Sequence, residues 1–172
     1  MNRMRHVLLC GLLPLLAVAA GAAETLKVGQ RAPSLEARDQ DGQVWKLADA
    51  TAKGRVTVFS YPKDDTPGCT KQACGFRDQL KELGGLGVSV VGISRDDAES
   101  QRAFRAKHGL NFPLLLDTDG RLTEAFGAAA PDRPRSRRVS FLIAQDGTIL
   151  HVTDAWDARV HLDELRAAVR KP

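Results

Sequence analysis

The spacing of hydrophobic residues predicts a chain in which strands and helices alternate. Short stretches rich in β-branched side chains predict strands, and apolar residues repeated every three or four positions predict amphipathic helices. Asp-Gly pairs at 41–42 and 146–147 each predict a β-hairpin turn. In chain order, the predicted elements are a hairpin of residues 35–38 and 43–47, a strand over 55–61, a helix over 67–83, a strand over 88–93, a helix over 98–107, a short strand over 114–116, a short helix over 122–126, a hairpin of 139–143 and 148–152, and a helix over 160–170.

This order of elements predicts an α/β fold of the thioredoxin-like type. The strands over 55–61 and 88–93 are mostly apolar and are joined by a helix, which indicates a parallel βαβ unit buried on both faces. A terminal hairpin added to parallel crossovers gives a mixed sheet. We therefore expect a central mixed β-sheet flanked by helices, with an N-terminal β-hairpin.

The first residues differ from the rest of the chain. Two arginines precede an apolar run over 7–20, and small residues follow at 21–23, which is the layout of a secretory signal peptide. A transmembrane anchor is the alternative, but the run is shorter than the ~20 apolar residues that a spanning helix needs, and it contains Pro14. The sequence therefore predicts a signal peptide over 1–23 and one exported domain over 24–172, located in the bacterial periplasm.

Signal cleavage changes the cysteine count and the charge. Three alanines are candidate cleavage sites: Ala23 first, with Ala20 and Ala22 as alternatives. Cys10 lies too early in the apolar run for a lipoprotein anchor, and its removal leaves Cys69 and Cys74. The formal net charge falls from +4 to about +2 when Arg3 and Arg5 leave with the leader. We therefore expect neither a nucleic-acid partner nor, after cleavage, a membrane partner.

Cys69 occupies a position that favours a reactive thiolate. Thr66 followed by Pro67 is a typical helix start, with the threonine hydroxyl as N-cap and proline at the first helical position. Cys69 then lies in the first turn, where free N–H groups and the helix dipole stabilise negative charge. At 100° per residue, Cys69 falls on the apolar side of the helix and faces the core.

Cys74 lies five residues further along the same predicted helix. It falls roughly 140° around the helix axis from Cys69, away from the apolar stripe. On an ideal helix the two Cα atoms are roughly 8.6 Å apart, whereas a disulfide needs at most ~7 Å. If the two cysteines pair, the first turns of the helix must unwind and later refold.

Residues 61–74 resemble the active site of peroxiredoxins, in particular the bacterioferritin comigratory protein or peroxiredoxin Q subfamily of the thioredoxin-like AhpC/TSA superfamily. The signature residues are Pro62, Thr66 and Cys69, and Arg138 matches the position of the family's active-site arginine. The similarity extends over nearly the whole chain after the leader. One departure is a shorter segment over 128–137, which leaves the peroxide preference and the partner-docking surface open.

The resemblance implies a thioredoxin-dependent peroxidase that protects the cell against hydrogen peroxide and organic hydroperoxides. The Cys69 thiolate attacks the peroxide and becomes a sulfenic acid, and Cys74 condenses with it to form a disulfide. Arg138 supplies fixed positive charge, Thr66 holds the peroxide and Pro62 shields the pocket from water. A thioredoxin-like or other thiol reductant is the expected partner, no cofactor or metal is expected, and a monomer is favoured with a dimer as the alternative.

Two other functions remain open from the residues alone. One is an envelope thioredoxin-like thiol-disulfide oxidoreductase, although such proteins generally carry Cys-x-x-Cys and this chain has four residues between its thiols. The other is a binding domain with a structural disulfide, which exported proteins often contain. Neither accounts for the combination of proline, threonine, cysteine and arginine described above.

The remaining polar and aromatic residues are interpreted as structural. Strand alternation places Arg138 and Arg137 on opposite faces, so only one of them points to the site. Arg133, Arg135 and Arg137 are interpreted as a solvated loop, with an acidic reductase as the alternative contact. Two further sets complete the interpretation: surface or capping histidines at His108, His151 and His161, and packing tryptophans at Trp45 and Trp156.

Overall fold

The computed structural model describes residues 24–132 and 134–170. The predicted leader over 1–23, including Cys10, and Arg133 of the basic loop lie outside these residues. The elements within the described part of the chain are β1 (Glu36–Arg38), β2 (Val44–Lys46), α1 (Leu47–Thr51), β3 (Arg55–Ser60), α2 (Pro67–Gly85), β4 (Val88–Ser94), α3 (Ala98–His108), β5 (Leu114–Leu116), α4 (Arg121–Ala125), β6 (Val139–Ile143), β7 (Ile149–Asp154) and α5 (Ala158–Val169).

A five-stranded mixed sheet forms the centre of the fold, in the order β5-β4-β3-β6-β7. Strands β3, β4 and β5 are parallel, whereas β6 runs antiparallel to both β3 and β7. Strands β1 and β2 form the separate N-terminal hairpin. The predicted fold, a central mixed sheet flanked by helices with an N-terminal hairpin, is confirmed.

Each face of the sheet is covered by its own hydrophobic cluster. Val139, Phe141 and Ile143 of β6 pack in one cluster, while Leu142 packs in the other, together with Cys69 and the buried face of α2. The predicted alternation along β6 is therefore confirmed. It turns the side chain of Arg138 towards the face of the sheet that α2 covers.

Helix α1 is an element that the hydrophobic pattern did not predict. It follows β2 directly, and no side chain caps its N-terminus. Its buried residues, Leu47 and Thr51, are four positions apart and so share one face. A helix of one and a half turns with no cap signal is too short for periodicity to reveal, and burial of these two side chains stabilises it instead.

Candidate active site

Cys69 lies in the first turn of α2, just beyond the carboxyl end of β3. Thr66 is the N-cap residue, with extended backbone angles, and Pro67 is the first helical residue, as the sequence predicted. The Cys69 side chain is 1% exposed and packs with the apolar cluster beneath α2, so its inward orientation is confirmed. N–H groups of this first turn have no intrahelical carbonyl to bond and are directed towards the helix end, where they attract negative charge.

Arg138 directly contacts the Cys69 thiol. It precedes β6, whose Val139 pairs with Ser60 at the end of β3, so the strand pairing places Arg138 beside the start of α2. Its Nη2 donates to Cys69 Sγ at 3.4 Å, and the side chain is only 5% exposed. A Cβ atom added at Gly68 would lie 3.0 Å from Nη2, so glycine at this position permits the close approach of the guanidinium.

Two further groups fix the orientation of the Arg138 guanidinium. Nη1 donates to Gln72 Oε1 at 2.6 Å, and Nε donates to the carbonyl oxygen of Trp156 at 3.1 Å. The guanidinium carbon also lies 5.7 Å from the centre of the Trp156 ring, within the range of a cation–π contact. Three nitrogens of one planar group are thus bonded in three directions, which a lysine ammonium cannot reproduce.

The hydroxyl of Thr66 does not cap the helix, so this part of the prediction was wrong. Its Oγ1 donates to the carbonyl oxygen of Lys63 at 3.1 Å, and no side-chain cap is present on α2. The cause is the tight turn before Pro67, which brings the Lys63 carbonyl within reach of the hydroxyl. Because Oγ1 uses its proton there, its lone pairs remain available to accept a hydrogen bond.

Cys74 is less exposed than its predicted outward orientation suggests. It is half-buried and packs at the edge of the apolar cluster that contains Cys69. Both thiols are free, and α2 is continuous through both positions. This arrangement agrees with the geometric argument that an intact helix keeps the two sulfur atoms unbonded.

A pair of aspartates anchors the loop that precedes α2. Asp64 accepts hydrogen bonds from Tyr61 Oη at 2.8 Å and from Ser100 Oγ at 3.0 Å, and its burial raises the pKa of its carboxyl group to about 6. Asp65 has a left-handed backbone with φ of 53°, and its carboxylate contacts Lys107 and His108. Ser100, Lys107 and His108 all belong to α3, so both aspartates bind the loop between Pro62 and Thr66 to this helix. Tyr61, which the sequence left ambiguous between pocket and core, lies in the core.

A buried polar cluster extends from Arg138 to α5. Gln72 Nε2 donates to Ser140 Oγ at 3.5 Å, and Ser140 Oγ lies 2.8 Å from His161 Nδ1. His161 Nε2 lies 2.8 Å from the carbonyl oxygen of Ala155. His161 is fully buried, so its interpretation as a surface or capping residue was wrong. Its burial lowers the pKa of the imidazole below the ordinary value.

An open cleft of about 530 Å³ borders the arginine. Trp156, expected to be a packing residue, is instead 82% exposed at this cleft, whereas Trp45 packs against the core as predicted. Cys69 is not part of the cleft wall, but the arginine bonded to its sulfur is. The cleft is lined by Pro62, Ala130, Pro131, Asp132, Arg135, Ser136, Arg137, Arg138, Asp154, Ala155 and Trp156.

Arg137 points away from the thiol, as strand alternation predicted. Its guanidinium contacts Asp154 of β7 and donates to Thr25 Oγ1 at 3.0 Å and to the carbonyl oxygen of Gly127 at 3.3 Å. Arg137 thus ties residues next to the predicted cleavage site to the segment that leads to β6. It is a bonded residue rather than a solvated one, which corrects its interpretation as part of a solvated loop.

The chemistry of the site comes from one thiol, one fixed cation and free backbone N–H groups. Within residues 24–132 and 134–170, no three histidine, cysteine, aspartate or glutamate side chains cluster to hold a metal ion. Nor does any helix in this part of the chain have the length and apolar character to span a membrane. A thiolate at this position would be stabilised by the guanidinium, and so would negative charge that develops on an oxygen atom beside the sulfur.

Comparison with known proteins places the chain in one family. Residues 28–152 match the AhpC/TSA family. The chain is 44% identical over 144 residues to peroxiredoxin Bcp of Escherichia coli K12, a match that covers 80% of this chain and 92% of that protein. The crystal structure of peroxidoxin BcpB from Mycobacterium tuberculosis is similar, with a TM-score of 0.81 and 34% identity over 84% of this chain and 97% of that chain.

A second solved structure extends the comparison. The bacterioferritin comigratory protein of Xanthomonas campestris, a protein with alkyl peroxide reduction activity, has a TM-score of 0.72 and 30% identity, covering 79% of this chain and 90% of that chain. The resemblance found in the residues around Cys69 is therefore confirmed across the length of the domain. The chain belongs to the AhpC/TSA family, and within it to the peroxiredoxins of the bacterioferritin comigratory protein group.

Proposed function

We propose that this protein is a thiol-dependent peroxidase in which Cys69 reduces hydrogen peroxide and organic hydroperoxides. The observation that carries the proposal is the 3.4 Å contact between Arg138 Nη2 and Cys69 Sγ, in a buried site at a helix N-terminus. A fixed cation beside the sulfur favours the thiolate, and the thiolate is the nucleophile in peroxide reduction. The relatives described above are peroxiredoxins, and they give no support to the alternative of an envelope thiol-disulfide oxidoreductase.

The first step is nucleophilic attack by the Cys69 thiolate on the terminal oxygen of the hydroperoxide. A sulfur–oxygen bond forms and the oxygen–oxygen bond breaks, so that sulfur is oxidised to the sulfenic acid and the alkoxide or hydroxide leaves and takes up a proton. Arg138 and the backbone N–H groups near Gly68 stabilise the negative charge that builds up on oxygen. Thr66 Oγ1 is free to accept a hydrogen bond from the peroxide, and Pro62 lines the entrance without offering a donor.

In the second step, the Cys74 thiol attacks the Cys69 sulfenic acid, which forms a disulfide and releases water. Because α2 holds the two residues too far apart, its first turns must unwind before this bond forms. A thioredoxin-like or other dithiol protein then reduces the disulfide and is itself oxidised. The helix refolds once both thiols are restored.

The decisive experiment measures hydrogen peroxide consumption by residues 24–172 with an excess of a dithiol reductant. The Cys69→Ser variant is expected to be inactive. The Cys74→Ser variant, which is the matched control for loss of a thiol, is assayed without the reductant and is expected to consume one equivalent of peroxide and accumulate the sulfenic acid. Mass spectrometry of the wild type after one equivalent of peroxide should detect a Cys69–Cys74 disulfide. Wild-type consumption by Cys69→Ser would refute the mechanism.

We further propose that the protein acts as an exported, monomeric enzyme in the bacterial periplasm. The amino-acid pattern of residues 1–23 supports export, and the residues that follow are bonded to the domain: Thr25 Oγ1 donates to the Gly127 carbonyl at 3.0 Å and Leu26 N donates to the Phe126 carbonyl at 3.2 Å. Cleavage after Ala23 leaves these bonds intact. Intact-mass analysis of the periplasmic fraction tests the cleavage site, and native mass spectrometry tests the monomer.

A further inference from the structure

A continuous line of buried hydrogen bonds runs from the active-site arginine to the helix at the end of the chain. It passes from Arg138 Nη1 to Gln72, then to Ser140, His161 and the carbonyl oxygen of Ala155, at distances of 2.6, 3.5, 2.8 and 2.8 Å. Gln72, Ser140 and His161 are all buried. Three different elements contribute, because Gln72 lies on α2, Ser140 on β6 and His161 on α5.

The direction of every bond in this line is determined by its two ends. The Ala155 carbonyl only accepts, so His161 Nε2 must donate to it, and Nδ1 of the neutral ring is left as an acceptor. The Ser140 hydroxyl therefore donates to Nδ1, and its lone pairs accept from Gln72 Nε2. That orientation turns Gln72 Oε1 towards Arg138, which only donates. The opposite amide orientation would place two donors against each other.

We propose that Ser140 and His161 are positioning residues that act through Gln72 to hold the Arg138 guanidinium against the Cys69 sulfur. Neither residue touches the thiol or the peroxide. Their contribution is to fix the Gln72 amide, which is one of the two groups besides the sulfur that anchor Arg138. The proposal rests on the peroxidase function proposed for Cys69.

The arrangement requires a neutral imidazole at His161. A protonated ring would donate from Nδ1, so the Ser140 hydroxyl would turn its proton away and lose the bond that it donates to the ring. Ser140 would then be less firmly held as the acceptor for Gln72. The charged groups that act on the ring are Arg138, which immediately precedes β6, Glu164 from α5 itself and Asp154 from β7. Burial is the largest cause of the lowered pKa of His161, and Arg138 lowers it further, whereas the two carboxylates raise it.

The same line of bonds crosses the part of the fold that must move during turnover. Gln72 lies three residues after Cys69, in the turns of α2 that have to unwind before the disulfide forms. Ser140 and His161 belong to β6 and α5, which have no such requirement. Loss of either residue should therefore slow the reaction of Cys69 with peroxide but not the later condensation with Cys74.

The test follows the two steps separately by stopped-flow tryptophan fluorescence, with hydrogen peroxide as the probe and the reduced 24–172 protein. We expect the rate constant for Cys69 oxidation to fall about tenfold in Ser140→Ala and in His161→Phe, since Arg138 keeps its bond to the Trp156 carbonyl. The rate of disulfide formation should be unchanged or higher. His151→Gln, at a partly exposed histidine that contacts Glu164, is the matched control and should behave as the wild type.

Two replacements of His161 separate a positioning role from a merely structural one. In His161→Asn the amide oxygen can accept from Ser140 as Nδ1 does, whereas in His161→Gln the amide can reach Ala155 but leaves Ser140 without an acceptor. We expect Asn to restore the first step to within about threefold of wild type and Gln to behave as Phe. Below pH 6.5, the wild-type rate constant should fall further than that of the Asn variant, which has no proton to gain.

The proposal is overturned if Ser140→Ala and His161→Phe both oxidise Cys69 within twofold of the wild type, or if the Asn variant shows the same acid-side loss as the wild type. If circular dichroism shows that His161→Phe does not fold, Ser140→Ala still tests the proposal, because that substitution removes only one oxygen atom. The rate of Cys69 alkylation by iodoacetamide at acidic pH, in a Cys74→Ser background, provides a readout without peroxide. If the wild type itself does not react with peroxide, the proposed function fails instead.

Discussion

Replacing Arg138 with lysine tests whether geometry, rather than charge alone, activates the thiol. The guanidinium donates from three nitrogens, to Cys69 Sγ at 3.4 Å, to Gln72 Oε1 at 2.6 Å and to the Trp156 carbonyl at 3.1 Å. A lysine ammonium retains the positive charge but has one nitrogen at the end of a flexible stem, so it cannot hold all three positions at once. The contact to the sulfur is the one expected to be lost or weakened.

The size of the effect follows from the kind of bond that is removed. A hydrogen bond in which one partner is charged contributes about 1.5–3 kcal/mol. If that contribution acts in the transition state for peroxide attack, kcat/KM for hydrogen peroxide falls about 10- to 150-fold, at 1.36 kcal/mol for each factor of ten. Arg138→Met, which also removes the charge, should lose more than Arg138→Lys.

The matched control for this prediction is Arg137→Lys, on the opposite face of the strand. Arg137 contacts Thr25, Gly127 and Asp154 rather than the thiol, so the control should keep its rate within about twofold and change only stability. The assay is steady-state peroxide consumption at several peroxide concentrations. A wild-type kcat/KM for Arg138→Lys, or a larger loss for Arg137→Lys, would refute the assignment of Arg138.

Three further substitutions, one of them with a matched control, test packing around the site and the loop that carries Thr66. Gly68→Ala should lower kcat/KM about threefold, since the new Cβ would lie 3.0 Å from the arginine guanidinium, whereas Gly84→Ala, with open space around it, should leave the rate unchanged. Gly75→Ala should destabilise the fold by about 1–3 kcal/mol in urea unfolding, because its Cβ would overlap the Leu162 side chain that packs α5 on α2. Asp64→Asn should remove a pH dependence of stability, because the raised pKa of about 6 makes the folded wild type bind a proton more readily than the unfolded chain.

The sign of the Asp64 effect is fixed by the direction of its pKa shift. The stability gained from protonation is fully present below the ordinary carboxyl pKa of 3.8 and is lost as pH rises through a pKa of about 6. After allowance for solvent screening, the wild type should therefore gain about 1–2 kcal/mol relative to Asp64→Asn between pH 7 and pH 4. A constant difference between the two proteins across this range would contradict the prediction. The Gly75→Ala prediction would be contradicted if this variant unfolded at the same urea midpoint as the wild type.

Much of the site could be predicted because its position depends on local features of the chain. The helix start at Thr66 and Pro67 follows from residue types next to each other, and the inward phase of Cys69 follows from helical periodicity. Alternation separates Arg138 from Arg137 onto opposite faces, and the resemblance to peroxiredoxins identifies Arg138 as the one at the site, where it contacts Cys69. The helix start and the orientation of Cys69 can therefore be predicted without knowing which elements contact each other in the folded protein.

The polar contacts that complete the site could not be predicted because their partners are far apart in sequence. Gln72 and Ser140 are separated by 68 positions, and Ser140 and His161 by 21. A histidine in an amphipathic helix gives no local sign of whether it will be buried, so His161 was placed at the surface. Trp156 was interpreted as a packing residue, since nothing near it in the sequence indicates that its carbonyl accepts a hydrogen bond from an arginine while its ring faces solvent.

The sequence by itself therefore determined the order of the elements, the position of the thiol and the cation that accompanies it. Periodicity, turn residues and helix-start residues act over a few positions, which is why they can be interpreted without coordinates. Tertiary structure alone decided that the Thr66 hydroxyl bonds the Lys63 carbonyl and that buried Gln72, Ser140 and His161 support the arginine. Burial of a polar group is stable only when a specific partner is present, and packing of distant elements supplies that partner.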